Sequence, residues 1–247
     1  MNDPLYTYSL ELAGVPLTGG FRYEKTADYL GDAVTGPAAG GEPLTVGDWE
    51  WSIWPQTGKP VDAFAEYSLF VYGASTALLA HDRCAIHAAA VRWRDRAWLI
   101  AAEPGVGKST QVRTLQELHP GEFSVICGDK PILERREDGS ILVHPSPWNG
   151  KEGWHGAEAA PLGGVVRLLR GEENGIEPFP VKDAAWPLYS FLIHTGETEE
   201  NIRGAAAIAD AVLSSVPAWR MTTHQVPDST RLLYEELLTQ GGKDDEL

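Results

Sequence analysis

Cysteine is scarce in this chain: Cys84 and Cys127 stand far apart, and neither sits in a Cys/His spacing of the metal-binding kind. That excludes a disulfide framework, and both thiols are expected to be reduced and buried. Long hydrophobic runs are lacking as well. Nowhere do about 18 apolar residues follow one another, so no membrane-spanning helix is expected. The opening Met1-Asn2-Asp3-Pro4 has no basic segment followed by an apolar stretch, which points to a cytoplasmic protein. Positive charge is in deficit, with 20 Lys and Arg against 35 Asp and Glu and a formal net charge of −15. A chain of that sign is not expected to live on nucleic acid or on an anionic membrane, although a local basic pocket for ATP is compatible with it. Internal repeats and low-complexity segments are absent.

What is present suffices for a packed core. The 247 residues are 43% hydrophobic and 22% charged, ordinary for a globular protein of one large α/β domain or two small ones. The stretch that announces chemistry is Ala102-Glu103-Pro104-Gly105-Val106-Gly107-Lys108-Ser109-Thr110. It follows the apolar run Ala97-Trp98-Leu99-Ile100-Ala101 and leads into a helical pattern, the context that a phosphate-binding P-loop requires. Glycines let successive N–H groups converge on one concavity, and the helix adds the positive end of its dipole. Glu103 through Thr110 would cradle the phosphates, with Lys108 on the β- and γ-phosphates and Ser109 on Mg²⁺. The strict pattern has Gly where this chain has Ala102.

Residues 1–60 read as a β-rich N-terminal portion. Tyr6-Thr7-Tyr8-Ser9-Leu10-Glu11-Leu12 alternates, and so does Asp48-Trp49-Glu50-Trp51-Ser52-Ile53-Trp54, which predicts a strand at each place. Residues 61–80 change to a helical period, with Asp62 as N-cap. Residues 84–91 and 97–101 read as a strand hairpin turning at Arg94-Asp95-Arg96, with His87 inside the first strand as a lone histidine among small apolar residues. A helix over 109–118 is followed by the buried strand Phe123-Ser124-Val125-Ile126-Cys127, which ends in Gly128-Asp129-Lys130. An acidic residue at that strand end is where a carboxylate for Mg²⁺ sits, so Asp129 is a metal candidate.

A hairpin is expected around Glu137-Asp138-Gly139. The loop Pro147-Trp148-Asn149-Gly150-Lys151-Glu152 then carries an amide, an amine and a carboxylate between bulky anchors, as a second active-site segment would. Beyond it come strands near 162–169 and 176–179, helices over 183–193, 198–215 and 229–239 with Thr198 and Ser229 as N-caps, and a strand within 217–226. The last residues, 241–247, read as an acidic tail.

Taken together these segments resemble the HPr kinase/phosphorylase group and its relative, ATP-dependent phosphoenolpyruvate carboxykinase. They resemble still more the bacterial HPr-kinase-related proteins, some of which accompany peptide-modification pathways. Four segments carry the resemblance over about residues 64–240: His87 ahead of the glycine loop, the loop itself, Gly128-Asp129-Lys130-Pro131, and Pro147–Glu152 followed by Ala160-Pro161-Leu162. The resemblance implies a P-loop fold of the HPr kinase/carboxykinase kind, with a mixed central sheet, the β-rich portion at 1–60, a kinase domain over 61–240 and a helical C-terminal portion. It implies catalytic roles for His87, Lys108, Asp129 and Lys151, and a metal site of Ser109, Asp129 and Glu152.

The chain departs from the family pattern at Gly128, which stands where the first Asp of an Asp-Asp pair would be the base. Asp129 or His87 would take that role, or it is absent. The family's charge-stabilising arginine is not placed by spacing; Arg203, Arg167 and Arg170 are the candidates. The expected activity is ATP- and Mg²⁺-dependent phosphoryl transfer to a hydroxyl, most naturally a Ser or Thr of a peptide or protein. The alternatives are a small-molecule or carboxykinase-like kinase, and an ATP-dependent peptide-binding protein that transfers nothing. A homo-oligomer is implied by the family, with the aromatics of 49–54 available for an interface.

Overall fold

A computed structural model describes residues 5–38, 40–156, 158–196 and 198–244, the last helix with side chains as far as residue 238. The chain order is β1 (Tyr6–Leu12), β2 (Val15–Phe21), α1 (Thr26–Leu30), β3 (Val34–Pro37), α2 (Asp48–Ile53), α3 (Ala63–Leu78), β4 (Arg83–Ile86), β5 (Ala88–Trp93) and β6 (Arg96–Ala101). It continues with α4 (Lys108–Leu118), β7 (Phe123–Cys127), β8 (Ile132–Arg135), β9 (Ile141–His144), β10 (Ala160–Arg170), β11 (Gly175–Pro178), α5 (Val181–Phe191), β12 (Leu192–Ile193), α6 (Glu199–Ser215), β13 (Ala218–Thr223) and α7 (Val226–Asp244). This is a mixed α/β protein. No described helix is long and apolar enough to cross a membrane. Both cysteines are free and buried. Helix α7 reaches Asp244, and the remaining residues of the expected tail, 245–247, lie outside the described residues.

Several local expectations change for identifiable reasons. The aromatic alternation of 48–54 folds as helix α2, not as a strand. Glu50 is its buried position, four residues from buried Val46 before the helix and buried Trp54 just after it, and the Glu50 carboxylate folds back over Gly47 so closely that a Cβ there would lie 2.6 Å from it. A glutamate at the third helical position reaching back to the residue before the helix is a helix-start arrangement, and it overrides the alternation. Of the aromatics, Trp49 is half-exposed whereas Trp54 is buried, its indole N–H bonded to the Pro60 carbonyl. Helix α7 begins three residues ahead of the expected Ser229 cap, and Ser229 is buried against Gln111 and Thr223. Asp62 and Thr198 do cap α3 and α6, each accepting from the backbone N–H three residues on.

The 84–91 segment is two strands with a break at His87. Strand β4 pairs with β8 and β12, whereas β5 pairs with β6 and β7. One ten-stranded sheet results, with the order β12-β4-β8-β9-β10-β6-β5-β7 and with β13 and β11 joined alongside β10. It is mixed: β10 runs parallel to both β6 and β13, and the other ladders are antiparallel. A separate antiparallel sheet, β2-β1-β3, packs through Leu10, Leu12 and Phe21 onto Leu69 and Phe70 of α3.

Register decides where function can sit. Ala88 opposes Ala101 and Ala90 opposes Cys127, so three chain exits meet at one end of the sheet: His87 entering β5, the glycine loop leaving β6, and Gly128-Asp129 leaving β7. Carboxyl ends of parallel strands are where open α/β sheets bind ligands.

Candidate active site

Strand β6 ends at Ala101, and the glycine loop turns directly into α4. Gly105 has φ +80° and Gly107, the residue preceding the helix, φ +123°, conformations in which an L side chain is strained. Ala102 is fully buried in the core beneath α4 and takes no such conformation, so a methyl is tolerated where the strict motif has glycine. The first N–H groups of a helix have no acceptor within it, and here they face the loop. Helix α4 is held from behind by Gln111, fully buried, whose amide donates to Thr223 and Ser229 and accepts from Thr230. A second tie comes from Arg170 at the end of β10, which donates to the Gly105 carbonyl at 2.7 Å.

Lys108 Nζ lies 2.9 Å from His87 Nε2 and donates to the Ala102 carbonyl at 3.2 Å. The same His87 nitrogen lies 3.3 Å from Asp129 Oδ1, and the other oxygen of Asp129 receives Lys130. One ring nitrogen therefore faces both an amine and a carboxylate and serves them one at a time, accepting from the first or donating to the second. Burial pushes the Lys108 ammonium below its ordinary pKa, opposed by the charge of Asp129. Burial would raise the Asp129 carboxyl, but the hydrogen bonds and charges of His87 and Lys130 overcome it and hold the group well below the usual carboxylate range. Asp129 is thus an ionised carboxylate set among three nitrogen bases in an otherwise acidic chain.

The loop over 146–154 closes on this cluster from the other side. The Lys130 N–H donates to the Trp148 carbonyl, and Ser146 Oγ donates to the Lys130 carbonyl. Trp148 is buried, with its indole N–H on the Tyr67 carbonyl, and the Tyr67 hydroxyl donates to the Pro147 carbonyl. Burial, with the Asp129 carboxylate beside it, pushes the Tyr67 phenol upward. Gly128 is an occupied position, not a trimmed one: a Cβ there would stand 2.5 Å from the Asn149 carbonyl oxygen, and its N–H is bonded to the Trp154 carbonyl. Gly150, with φ +77°, lies with its would-be Cβ 3.0 Å from that of Asp129.

The structure therefore brings together His87, Lys108 and Asp129 and places Gly105, Gly107 and Ser109 on the same loop and helix start. Other candidates have different partners. Glu152 pairs with Arg113 of α4 at 3.6 Å, and Lys151 projects into solvent, 86% exposed, with its amine 3.9 Å from Glu152. Of the three candidate arginines, Arg203 pairs with Glu199 on α6, Arg167 lies over the Phe179 ring, and Arg170 donates to the glycine loop. Lys130 and Tyr67 were not singled out by the sequence. The adjacency of Lys130 to Asp129 was the available signal, whereas the contact of Tyr67 is purely tertiary.

No family model matches this sequence, and no curated protein matches it. Among solved structures the chain is similar to the Hpr(Ser) kinase/phosphatase from Coxiella burnetii, at 14% identity and a TM-score of 0.37, over 66% of this chain and 99% of that one.

Proposed function

We propose that this protein is an ATP-dependent, Mg²⁺-requiring phosphotransferase acting on a hydroxyl, most naturally a Ser or Thr of a peptide or protein. The observation that carries this reading is the convergence of Lys108, His87 and Asp129 at the mouth of a glycine loop that opens a helix. Nucleotide and metal supply a transferable phosphoryl group with its charge partly neutralised, and such transfer depends mainly on positioning and electrostatics. Glu103 through Thr110 line the phosphate side, with Lys108 as the point charge. Ser109 and Asp129 offer Mg²⁺ one hydroxyl and one carboxylate, a donor set that suits an ion keeping waters and phosphate oxygens as its other ligands. Among the described residues no three His, Cys, Asp or Glu side chains converge on a metal site, so the ion would be held jointly with the phosphates.

A bound phosphate that drew on Lys108 would leave the His87 ring nitrogen to Asp129 alone. The His87 nitrogen would then be the atom to take the acceptor hydroxyl's proton, and Asp129, held ionised, would pair with the imidazolium so formed. Lys130, clamped through its backbone and paired with Asp129, is better placed than Lys151 to neutralise charge there. Gly128 favours the rival reading of a nucleotide-dependent peptide binder, because no carboxylate fits at the position that the family resemblance gives to the base.

The test is transfer of label from γ-labelled ATP, with Mg²⁺, to a panel of Ser- and Thr-containing peptides and small hydroxyl compounds. Lys108→Ala is expected to lower the rate at least ~100-fold, the scale of losing a transition-state charge contact. ATP binding that Lys108→Ala abolishes, with neither transfer nor hydrolysis in the unaltered protein, would overturn the kinase reading in favour of the binder.

A further inference from the structure

The N-terminal sheet does more than cover α3. Between the β1–β2 turn (Glu11, Ala13, Gly14) and the end of α1 (Tyr29, Asp32) on one side, and the chain around His144–Pro147, Asn149 and His155 on the other, runs a solvent-open groove of about 840 Å³. A tied network joins its two walls: Arg83 donates to the Ala13 carbonyl at 3.0 Å and to Glu134 at 2.8 Å, and His144 meets the other Glu134 oxygen at 2.6 Å. The groove's width is therefore set by ion-paired side chains joining the two sheets.

One wall of the groove is the back of the candidate active site. Asn149 lines it while its carbonyl oxygen packs on Gly128, and His155 lines it while bridging backbone to backbone with Cys127. At the α1 end, Tyr29 continues into an aromatic surface, its ring 5.6 Å from Phe64 and 5.4 Å from Tyr67, whose hydroxyl holds the Pro147 carbonyl of the same loop. Tyr29 and Phe64 are 47% and 41% exposed, so this surface is presented to solvent.

The charge of the groove selects its occupant. Glu11 and Asp32 are exposed carboxylates without an ion pair to any described residue, and His144 is already committed to Glu134. Among the described residues no Lys or Arg lines the groove itself, and the nearby Arg83 is spent on Ala13 and Glu134. Its walls are a strand end, turns and loops, which present backbone polar groups together with apolar surface, as an extended polypeptide requires and an enclosed small-molecule pocket does not.

We propose that this groove binds a segment of the acceptor polypeptide that carries Lys or Arg opposite Glu11 and Asp32 and an apolar side chain over Tyr29 and Phe64. The segment lies next to the serine or threonine delivered around the 147–150 loop to Asp129. This inference rests on the phosphotransferase reading for the identity of the peptide as an acceptor, and on the groove alone for its charge and shape.

The experiment uses the full chain and dye-labelled peptides of one serine-containing sequence, flanked either by three lysines or by three glutamates, with anisotropy read at low salt. The lysine peptide is expected to bind at least ~10-fold tighter, because unpaired surface carboxylates act on a cation with little screening under those conditions. Glu11→Lys combined with Asp32→Lys is expected to invert the preference, and a fluorescent ATP analogue titrated in parallel reports that the glycine loop is intact. Tyr29→Ala provides a second variant and is expected to weaken only peptides with an apolar residue beside the lysines. Equal binding of the two peptides, or a preference that the double variant does not alter, overturns the groove proposal, even where label still passes from ATP to serine. Inversion of binding without any transfer supports the groove and removes the phosphotransferase reading instead.

Discussion

At the scale of single residues, Asp129 shows how local charge fixes chemistry. Its carboxyl is held below the usual range because, against the cost of burial, His87 and Lys130 bond to the charged form. In the unfolded chain those partners are gone, so the native state binds the proton less tightly than the unfolded state does. Stability from this group is therefore fully present above the ordinary aspartate pKa of about 3.9 and is lost as pH falls below it. Asp129→Asn removes the linkage. Thermal midpoints of the variant followed from pH 6 downward are expected to fall less steeply below about pH 4 than those of the unaltered protein. Parallel curves would show that the carboxylate is not paired as described. Lys108 and Asp129 were readable from the sequence because a loop pattern and a strand end mark them. His87 was visible as an oddity, but its exposure to both a lysine and an aspartate depends on a strand break that periodicity does not reveal, since 84–91 is apolar on both sides of it.

At the scale of elements, most helices and strands were legible where capping and period agree, as at α3 and α6. They were misread where side chains were asked to decide alone, as in the aromatic run of α2. What no local pattern shows is how α3 is tied to the N-terminal sheet. Glu66, in the first turn of α3, is 1% exposed and accepts from the backbone N–H groups of Arg22 and Tyr23 and from the Thr26 hydroxyl. A charged residue four positions into a helix looks like surface until these three donors are seen around it. Removing the carboxylate leaves the donors buried without an acceptor, at about 1–3 kcal/mol for each unsatisfied group. Glu66→Ala is expected to lower unfolding free energy by at least ~2 kcal/mol in urea titrations, and Glu66→Gln, which keeps one acceptor, by less. A neutral effect of Glu66→Ala would mean that the tie contributes nothing.

At the scale of the whole molecule, a division at residue 60 is natural in sequence, where a β-rich composition gives way to a helical period, but the packing runs across it. Leu10, Leu12, Phe21 and Leu30 from before that point share one core with Leu69, Phe70 and Leu78 of α3, and with Ala85 of β4, Ile132 of β8 and Trp148 of the loop that backs Asp129. Because Trp148 belongs to this core and its indole bonds to the Tyr67 carbonyl, the position of the 146–154 loop depends on a cluster to which the first sixty residues contribute. A chain begun at residue 61 would keep the glycine loop, Lys108, His87 and Asp129, yet expose the apolar face of α3 and lose the N-terminal residues of the core to which Trp148 belongs. Such a fragment is expected to aggregate or to unfold without cooperativity. Where it can be kept soluble, its tryptophan emission should shift to longer wavelength as Trp148 meets water. A fragment that melts cooperatively, with emission unchanged, would show instead that the N-terminal sheet is an appendage and that the loop behind Asp129 holds its shape without it.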